Sequence, residues 1–119
     1  ALYFFYPTLN RVGDFNQYGV EKVFEVAAVA EVAKVLSFIQ NKNGNVAVTS
    51  SDKELLEKLR NQVNFEGVTV IENNDLIDAN EQKVVFVEEL GISRYKKLEK
   101  ELQVAQNFDK ELVGIIAVK

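Results

Sequence analysis

Short apolar segments alternate with longer amphipathic segments along most of the 119 residues of the chain. Five of the short segments are rich in β-branched or aromatic residues and end at turn-forming residues, a pattern typical of buried strands. These predicted strands cover residues 2–6, 45–49, 68–71, 83–87 and 111–118. Since apolar residues fill them almost continuously, we expect helices to cover both faces of the sheet that they form.

Two amphipathic helices are predicted between the later strands. The sequence SDKE at residues 51–54 matches the S-x-x-E capping box, in which a serine and a glutamate side chain satisfy the first backbone N–H groups of a helix. We therefore predict a helix that begins at Ser51. Another helix, capped by Ser93, follows the fourth strand, because apolar residues recur there every three or four positions as far as Ala105.

The segment 20–40 allows two interpretations. From residue 30 onward its apolar residues share one helical face, and Gly44 suits the left-handed position after a helix. Residues 20–29 either form the first turns of the same helix or an extra strand, because their valines and Phe24 favour β structure. We favour a single helix over residues 20–40, since it needs fewer caps and loops. The apolar face of its second half contains Val32, Val35, Leu36 and Ile39.

Strands that alternate with helices predict βαβ units, in which helical crossovers join parallel strands. We predict an α/β fold, a three-layer αβα sandwich around a mainly parallel sheet of four or five strands. No linker or repeat divides the sequence, so we expect one domain over residues 1–119. The hydrophobic last segment, 112–118, could lie at a sheet edge, where an unpaired strand attracts a partner strand.

The composition excludes several kinds of chemistry. The chain has no cysteine and no histidine, so zinc–cysteine sites, histidine-containing triads and imidazole proton transfer are excluded. The net charge of −4 is not that of a duplex nucleic-acid binder, whose affinity comes largely from lysine and arginine. The longest uncharged run has ten residues, fewer than the ~20 that a membrane helix needs. We expect a cytoplasmic protein with neither a membrane nor a nucleic-acid partner.

Polar residues after the predicted strands are the candidate binding residues, because ligands of open parallel sheets bind beyond the carboxyl ends of the strands. These candidates are Thr8, Asn10, Arg11 and Asp14 after the first strand, Thr49, Ser50 and Ser51 after the second, and Asn74 and Asp75 after the third. An anion could bind the backbone N–H groups at the start of the helix after Ser51, but the capping box satisfies the same groups internally.

Two adjacent glutamates follow the fourth strand, and they are the candidate catalytic acids. Glu88 or Glu89 could activate water, and Glu88 and Asp75 are candidate ligands of a divalent cation. The alternative is a solvated strand end beside a helix N-terminus, where negative charge is mildly favourable. The sequence contains neither G-x-x-x-x-G-K-[ST] nor G-x-G-x-x-G, so the phosphate-binding loops that accompany such acids are missing. The sequence identifies no cofactor.

Two classes of function remain. We favour a non-enzymatic α/β module that acts in protein interaction or assembly and binds itself or another protein, most simply as a homo-oligomer. The alternative is a small enzyme-like domain that binds a nucleotide or metal, with a degenerate phosphate site at the C-terminal ends of the strands.

Overall fold

The computed structural model describes residues 23–63, 67–72, 83–91 and 95–119. Its strands are β1 (Val23–Val26), β2 (Val46–Thr49), β3 (Val68–Val70), β4 (Lys83–Glu89) and β5 (Glu111–Val118). Its helices are α1 (Val32–Asn43), α2 (Lys53–Gln62) and α3 (Tyr95–Asn107), and a 3-10 turn (Val29–Glu31) leads into α1. The predicted strand at residues 2–6 and the predicted cap Ser93 lie outside the described residues.

All described strands run parallel in one sheet, in the order β1-β5-β4-β2-β3. The central pair, β4 and β5, is matched from Lys83 and Glu111 to Glu89 and Val118, with one register shift next to Val84. The predicted α/β fold with a parallel sheet is confirmed. The three-layer arrangement of the whole chain stays a prediction, because the segments before β1 and between β3 and β4 lie outside the described residues.

Buried apolar side chains form two clusters, and successive strand residues belong to different clusters. The first joins α1 and α2 to strand residues that include Val46, Val48, Val85, Val87 and Ile116. The second joins Leu98 and Ala105 of α3 to the intervening residues Ala47, Val84, Phe86, Ile115 and Ala117. Because neighbouring residues of a strand point to opposite faces, α1 and α2 pack on one face of the sheet and α3 on the other. This explains why the strands are apolar throughout.

The single helix favoured over residues 20–40 is wrong, and the alternative of an extra strand is correct. Val23–Val26 pairs with β5 over its whole length, and Val26 is buried. The backbone stays extended at Ala28 before the 3-10 turn begins. Pairing with β5, together with the burial of β-branched side chains, outweighs the simpler capping of one long helix. The predicted helix end is confirmed: α1 stops at Asn43, and Gly44 follows with φ 82°.

The last strand is not at an edge, contrary to the sequence-based suggestion. β5 lies between β1 and β4, and residues 114–118 are all buried. A strand that is apolar on both faces is best buried in the middle of a sheet, where helices cover it from both sides. The edges of the described part of the sheet are β1 and β3.

Among the described residues, no helix has both the length and the apolar composition needed to cross a membrane.

Candidate functional site

Buried polar residues meet at the carboxyl ends of β2 and β4. These parallel strands are neighbours, and Thr49 of β2 pairs with Phe86 of β4. Two residues further along both segments, Ser51 therefore lies next to Glu88. Glu101 of α3 lies near the same place, close enough for the charge of Glu88 to act on its carboxyl group. We call Thr49, Ser50, Ser51, Glu88 and Glu101 the polar cluster. The first four are nearly or fully inaccessible to solvent.

Glu88 uses both carboxylate oxygens to hold the start of α2. The backbone N–H of Ser51 donates to Oε1 at 3.0 Å, and the Ser51 hydroxyl donates to Oε2 at 2.5 Å. Hydrogen bonds to a buried carboxylate are stronger than bonds between neutral groups, and their loss leaves costly unsatisfied partners. The acid that the sequence nominates for catalysis therefore has a structural partner in the loop after the neighbouring strand β2.

The capping box predicted at residues 51–54 is wrong by one residue. Asp52 is the N-cap of α2, and its side chain accepts a hydrogen bond from the backbone N–H of Glu54. Ser51 lies one residue before the N-cap, and its hydroxyl donates to the buried carboxylate of Glu88. Ser50 completes the turn, since its hydroxyl oxygen accepts from the backbone N–H of Asp52.

Glu101 is the second acid of the polar cluster, and nothing in its sequence context singles it out. Burial, and to a lesser extent the charge of Glu88, raise the pKa of its carboxyl group to about 8 against the opposing effect of Lys97 and Lys100. Glu101 is therefore largely protonated at neutral pH and is able to donate a hydrogen bond as well as accept one. Its Oε2 atom is buried and has no hydrogen-bond partner.

The hydroxyl of Thr49 is the other buried polar group with unused hydrogen-bonding capacity. Among the described residues, Thr49 Oγ1 and Glu101 Oε2 are the buried side-chain oxygens without a partner. Thr49 lies two residues after Ala47 and so faces the α3 side of the sheet, where Glu101 also lies. Buried polar groups are usually satisfied, so two unsatisfied oxygens at one end of the sheet are a distinctive feature.

A small cleft opens beside the polar cluster, between the start of α2 and α3. Its volume is about 50 Å³, and its polar lining comes from Ser50, Ser51, Lys53, Glu72, Lys97 and Glu101. This volume accommodates a few water molecules or a single ion, and it is far below that of a pocket for a nucleotide. No group of three or more acidic residues able to hold a metal ion occurs within the described ranges.

The remaining predicted site residues do not join this cluster. Glu89 follows Glu88 in β4 and so points to the opposite face of the sheet, which means that the two acids do not converge. Six candidates lie outside the described residues, and their roles stay predictions: Thr8, Asn10, Arg11, Asp14, Asn74 and Asp75.

The carboxyl end of β1 is unsuited to a phosphate group. The loop from β1 to α1 would be the usual place for one, in front of a helix N-terminus. Here the backbone N–H of Ala27 donates to Oε2 of Glu31 at 3.0 Å. A carboxylate of the chain itself therefore binds this loop, and its charge would repel a phosphate.

An exposed phenylalanine of α1 and a half-buried phenylalanine of β1 lie in contact, and the sequence pattern did not predict this pair. The side chain of Phe38 is 49% exposed. Its ring meets that of Phe24 edge to face, with centroids 6.3 Å apart, and the Lys42 ammonium lies 4.7 Å from its centroid. We call Phe24, Phe38 and Lys42 the aromatic patch. One feature of the sequence could have indicated it: Phe38 is a large apolar residue outside the predicted apolar face of α1.

A groove on the other side of the molecule separates α3 from the start of β5. Its volume is about 290 Å³, and its lining includes Leu102, Ala105, Gln106, Lys110 and Leu112. Phe108, in the turn after α3, is 46% exposed. Two phenylalanines of the described ranges are thus half exposed, one in α1 and one after α3.

Comparison of the chain with protein-family models and with curated proteins finds no match.

Proposed function

We propose that this chain is a non-enzymatic α/β module that acts by self-association. The observation that carries the proposal is the aromatic patch, in which Phe38 stays half exposed on the outer side of α1 beside an edge strand. Exposed large apolar side chains that cluster, with a cation at their rim, are typical of protein interfaces. The absence of cysteine suits a module that works in the reducing cytoplasm.

The geometry of the polar cluster supports a structural rather than a catalytic role for the candidate acid. Glu88 is inaccessible to solvent, and both of its oxygens accept hydrogen bonds from Ser51. A general base must reach the proton that it removes, and the neighbouring cleft has room for only a few water molecules. The buried acid thus stabilises the junction between β4 and α2. On this proposal, surface residues make the contacts with other molecules.

Light scattering coupled to size separation tests this proposal. We expect the purified chain to change from monomer to oligomer as its concentration rises from low micromolar to near millimolar, because mass action favours the associated state. A mass that stays at that of one chain, 13.4 kDa, over this whole range would contradict self-association.

A second candidate function is the binding of a small ion or polar molecule at the cleft. It is favoured by Oε2 of Glu101, a residue that lines the cleft and retains unused hydrogen-bonding capacity. Bound magnesium would favour ionised Glu101, since a cation lowers the pKa of a neighbouring acid. This second candidate corresponds in part to the alternative predicted from the sequence, an enzyme-like domain that binds a metal or a nucleotide.

Thermal unfolding with and without magnesium or nucleotides tests the second candidate. A specific ligand raises the melting temperature of the wild type in proportion to the logarithm of its concentration. The increase must disappear in Glu101→Gln and persist in Glu99→Gln, a matched substitution at an exposed position of the same helix. An equal increase in both variants, or none in the wild type, would contradict a site at the cleft.

A further inference from the structure

We infer that two copies of the chain associate through the side of α1 that lies next to β1, around a two-fold axis that sets the two α1 helices antiparallel. This inference rests on the proposed self-association and specifies its surface, its partner and its register. The surface consists of the aromatic patch and a stripe along this side of the helix, formed by the exposed residues Glu31 (the N-cap), Phe38 and Lys42 and by the half-buried Val35.

The four residues of the stripe lie along one side of the helix. They are spaced by four, three and four positions, the intervals at which side chains of an α-helix are neighbours. Glu31 is exposed at the start of α1, Lys42 is exposed in its last turn, and the apolar residues Val35 and Phe38 lie between them. The two charged ends are about 16 Å apart along the axis at 1.5 Å per residue.

Along the helix the stripe reads acid, apolar, apolar, base. A second copy that runs in the opposite direction therefore presents a base opposite the acid and apolar residues opposite the apolar residues. An antiparallel copy centred between Leu36 and Ser37 brings Glu31 opposite Lys42 of the second copy and Phe38 opposite Val35 of the second copy. Both ends of the stripe then carry an acid–base pair, and both apolar residues meet apolar residues. Lys34 lies at the margin of the stripe, where its long side chain reaches solvent.

The same order explains why a second copy fits better than a partner of another kind. A heterologous partner would need a base, an apolar centre and an acid at the same spacing, and the stripe itself supplies this set in reverse. A two-fold contact uses the same surface on both chains and closes, so it yields a dimer and not a filament. Phe24 extends the apolar area on each side, because its ring packs against Phe38.

A pair of matched substitutions tests the surface. Phe38→Ser removes the apolar centre of the stripe, whereas Phe108→Ser removes a phenylalanine of nearly equal exposure after α3. We expect Phe38→Ser to raise the dissociation constant of the dimer at least tenfold, and Phe108→Ser to change it less than twofold, as measured by sedimentation velocity. Circular dichroism spectra like that of the wild type show that both variants are folded.

Charge reversal tests the antiparallel register. Glu31→Lys and Lys42→Glu each place like charges opposite one another in their own homodimer, so each variant dimerises more weakly than the wild type. A mixture of the two variants restores both acid–base pairs, because each chain then carries one sign at both ends of the stripe. We expect the mixture to form a heterodimer at a concentration at which each variant alone is monomeric.

The outcomes separate this inference from the proposed function. A wild type that stays monomeric contradicts both. A dimer that Phe108→Ser weakens and Phe38→Ser does not preserves self-association and overturns the surface. Loss of the dimer in Phe38→Ser, without a heterodimer in the mixture, overturns the antiparallel register.

Discussion

The polar cluster and the aromatic patch depart from the usual distribution of residues in opposite directions. The cluster buries a glutamate and three hydroxyl side chains at the end of the sheet, whereas the patch leaves a phenylalanine half exposed. Buried polar groups and exposed apolar groups are the informative exceptions in a folded chain. Their difference is that Glu88 finds its partners inside the protein, whereas Phe38 keeps much of its surface available for another molecule. Burial of an acid at a strand end is thus not by itself a sign of catalysis.

The largest expected effect comes from removing Glu88. Glu88→Ala leaves the N–H and hydroxyl groups of Ser51 without their buried acceptors, and we expect the free energy of unfolding at pH 7 to fall by about 3 kcal/mol. Urea unfolding followed by circular dichroism measures this change. Glu99→Ala, at an exposed position of α3, is the control and should stay within about 0.5 kcal/mol of the wild type. An equally small loss for Glu88→Ala would show that its bonds to Ser51 contribute little.

The pH dependence of stability should identify Glu101 as an acid that stays protonated in the folded chain at neutral pH. Its pKa is about 8 in the folded chain against 4.5 for an ordinary glutamate, so between these values the folded state holds a proton that the unfolded state has lost. This contribution is fully present below about pH 4.5 and is lost as the pH rises through 8, so stability falls along that interval.

Glu101→Gln isolates this contribution because glutamine stays neutral at every pH. We expect the variant to be more stable than the wild type at pH 9, by about 1 kcal/mol after allowance for the partial exposure of the side chain. The difference between variant and wild type should shrink as the pH falls toward 5. Urea unfolding between pH 5 and 9 measures it, with Glu99→Gln as the control on the same helix. A constant difference over this range would contradict a raised pKa at Glu101.

A smaller effect is expected at Thr49, where a substitution should raise the free energy of unfolding, in contrast to Glu88→Ala. Its hydroxyl is buried without a hydrogen-bond partner, so Thr49→Val replaces an unsatisfied polar group with a methyl group of similar size. We expect the free energy of unfolding to rise by about 0.5 kcal/mol, since burial of an unpaired hydroxyl is unfavourable. Urea unfolding again provides the measurement. A loss of more than 1 kcal/mol would indicate that the hydroxyl makes a stabilising contact.

The strands after residue 44 were predictable because each combines β-branched residues with clear turn signals on both sides. The strand Val23–Val26 was ambiguous because Ala27 and the residues that follow favour a helix. What makes it a strand is pairing with β5, from Val23 and Ile115 to Val26 and Val118. A contact between residues so distant in sequence is invisible to a local pattern.

The candidate site was predictable in position but not in chemistry. The polar residues after the second and fourth strands could be selected because ligands bind at such ends. That Ser51 donates to Glu88 depends on β2 and β4 being neighbours, and the sequence does not give the strand order. Glu101 resembled any solvated acid among lysines, and its raised pKa results from its burial in the folded chain and, to a lesser extent, from the charge of Glu88.

The central location of β5 has a consequence for biosynthesis. Within the described chain, β1 emerges from the ribosome first, yet its hydrogen-bonded neighbour is residues 111–118. Until those residues are released, β1 lacks its partner β5, and β4 lacks its partner on the same side. Pairing of β1 and completion of the centre of the sheet therefore wait for the synthesis of residues 111–118, and chaperone binding during this interval would protect the apolar strands from aggregation.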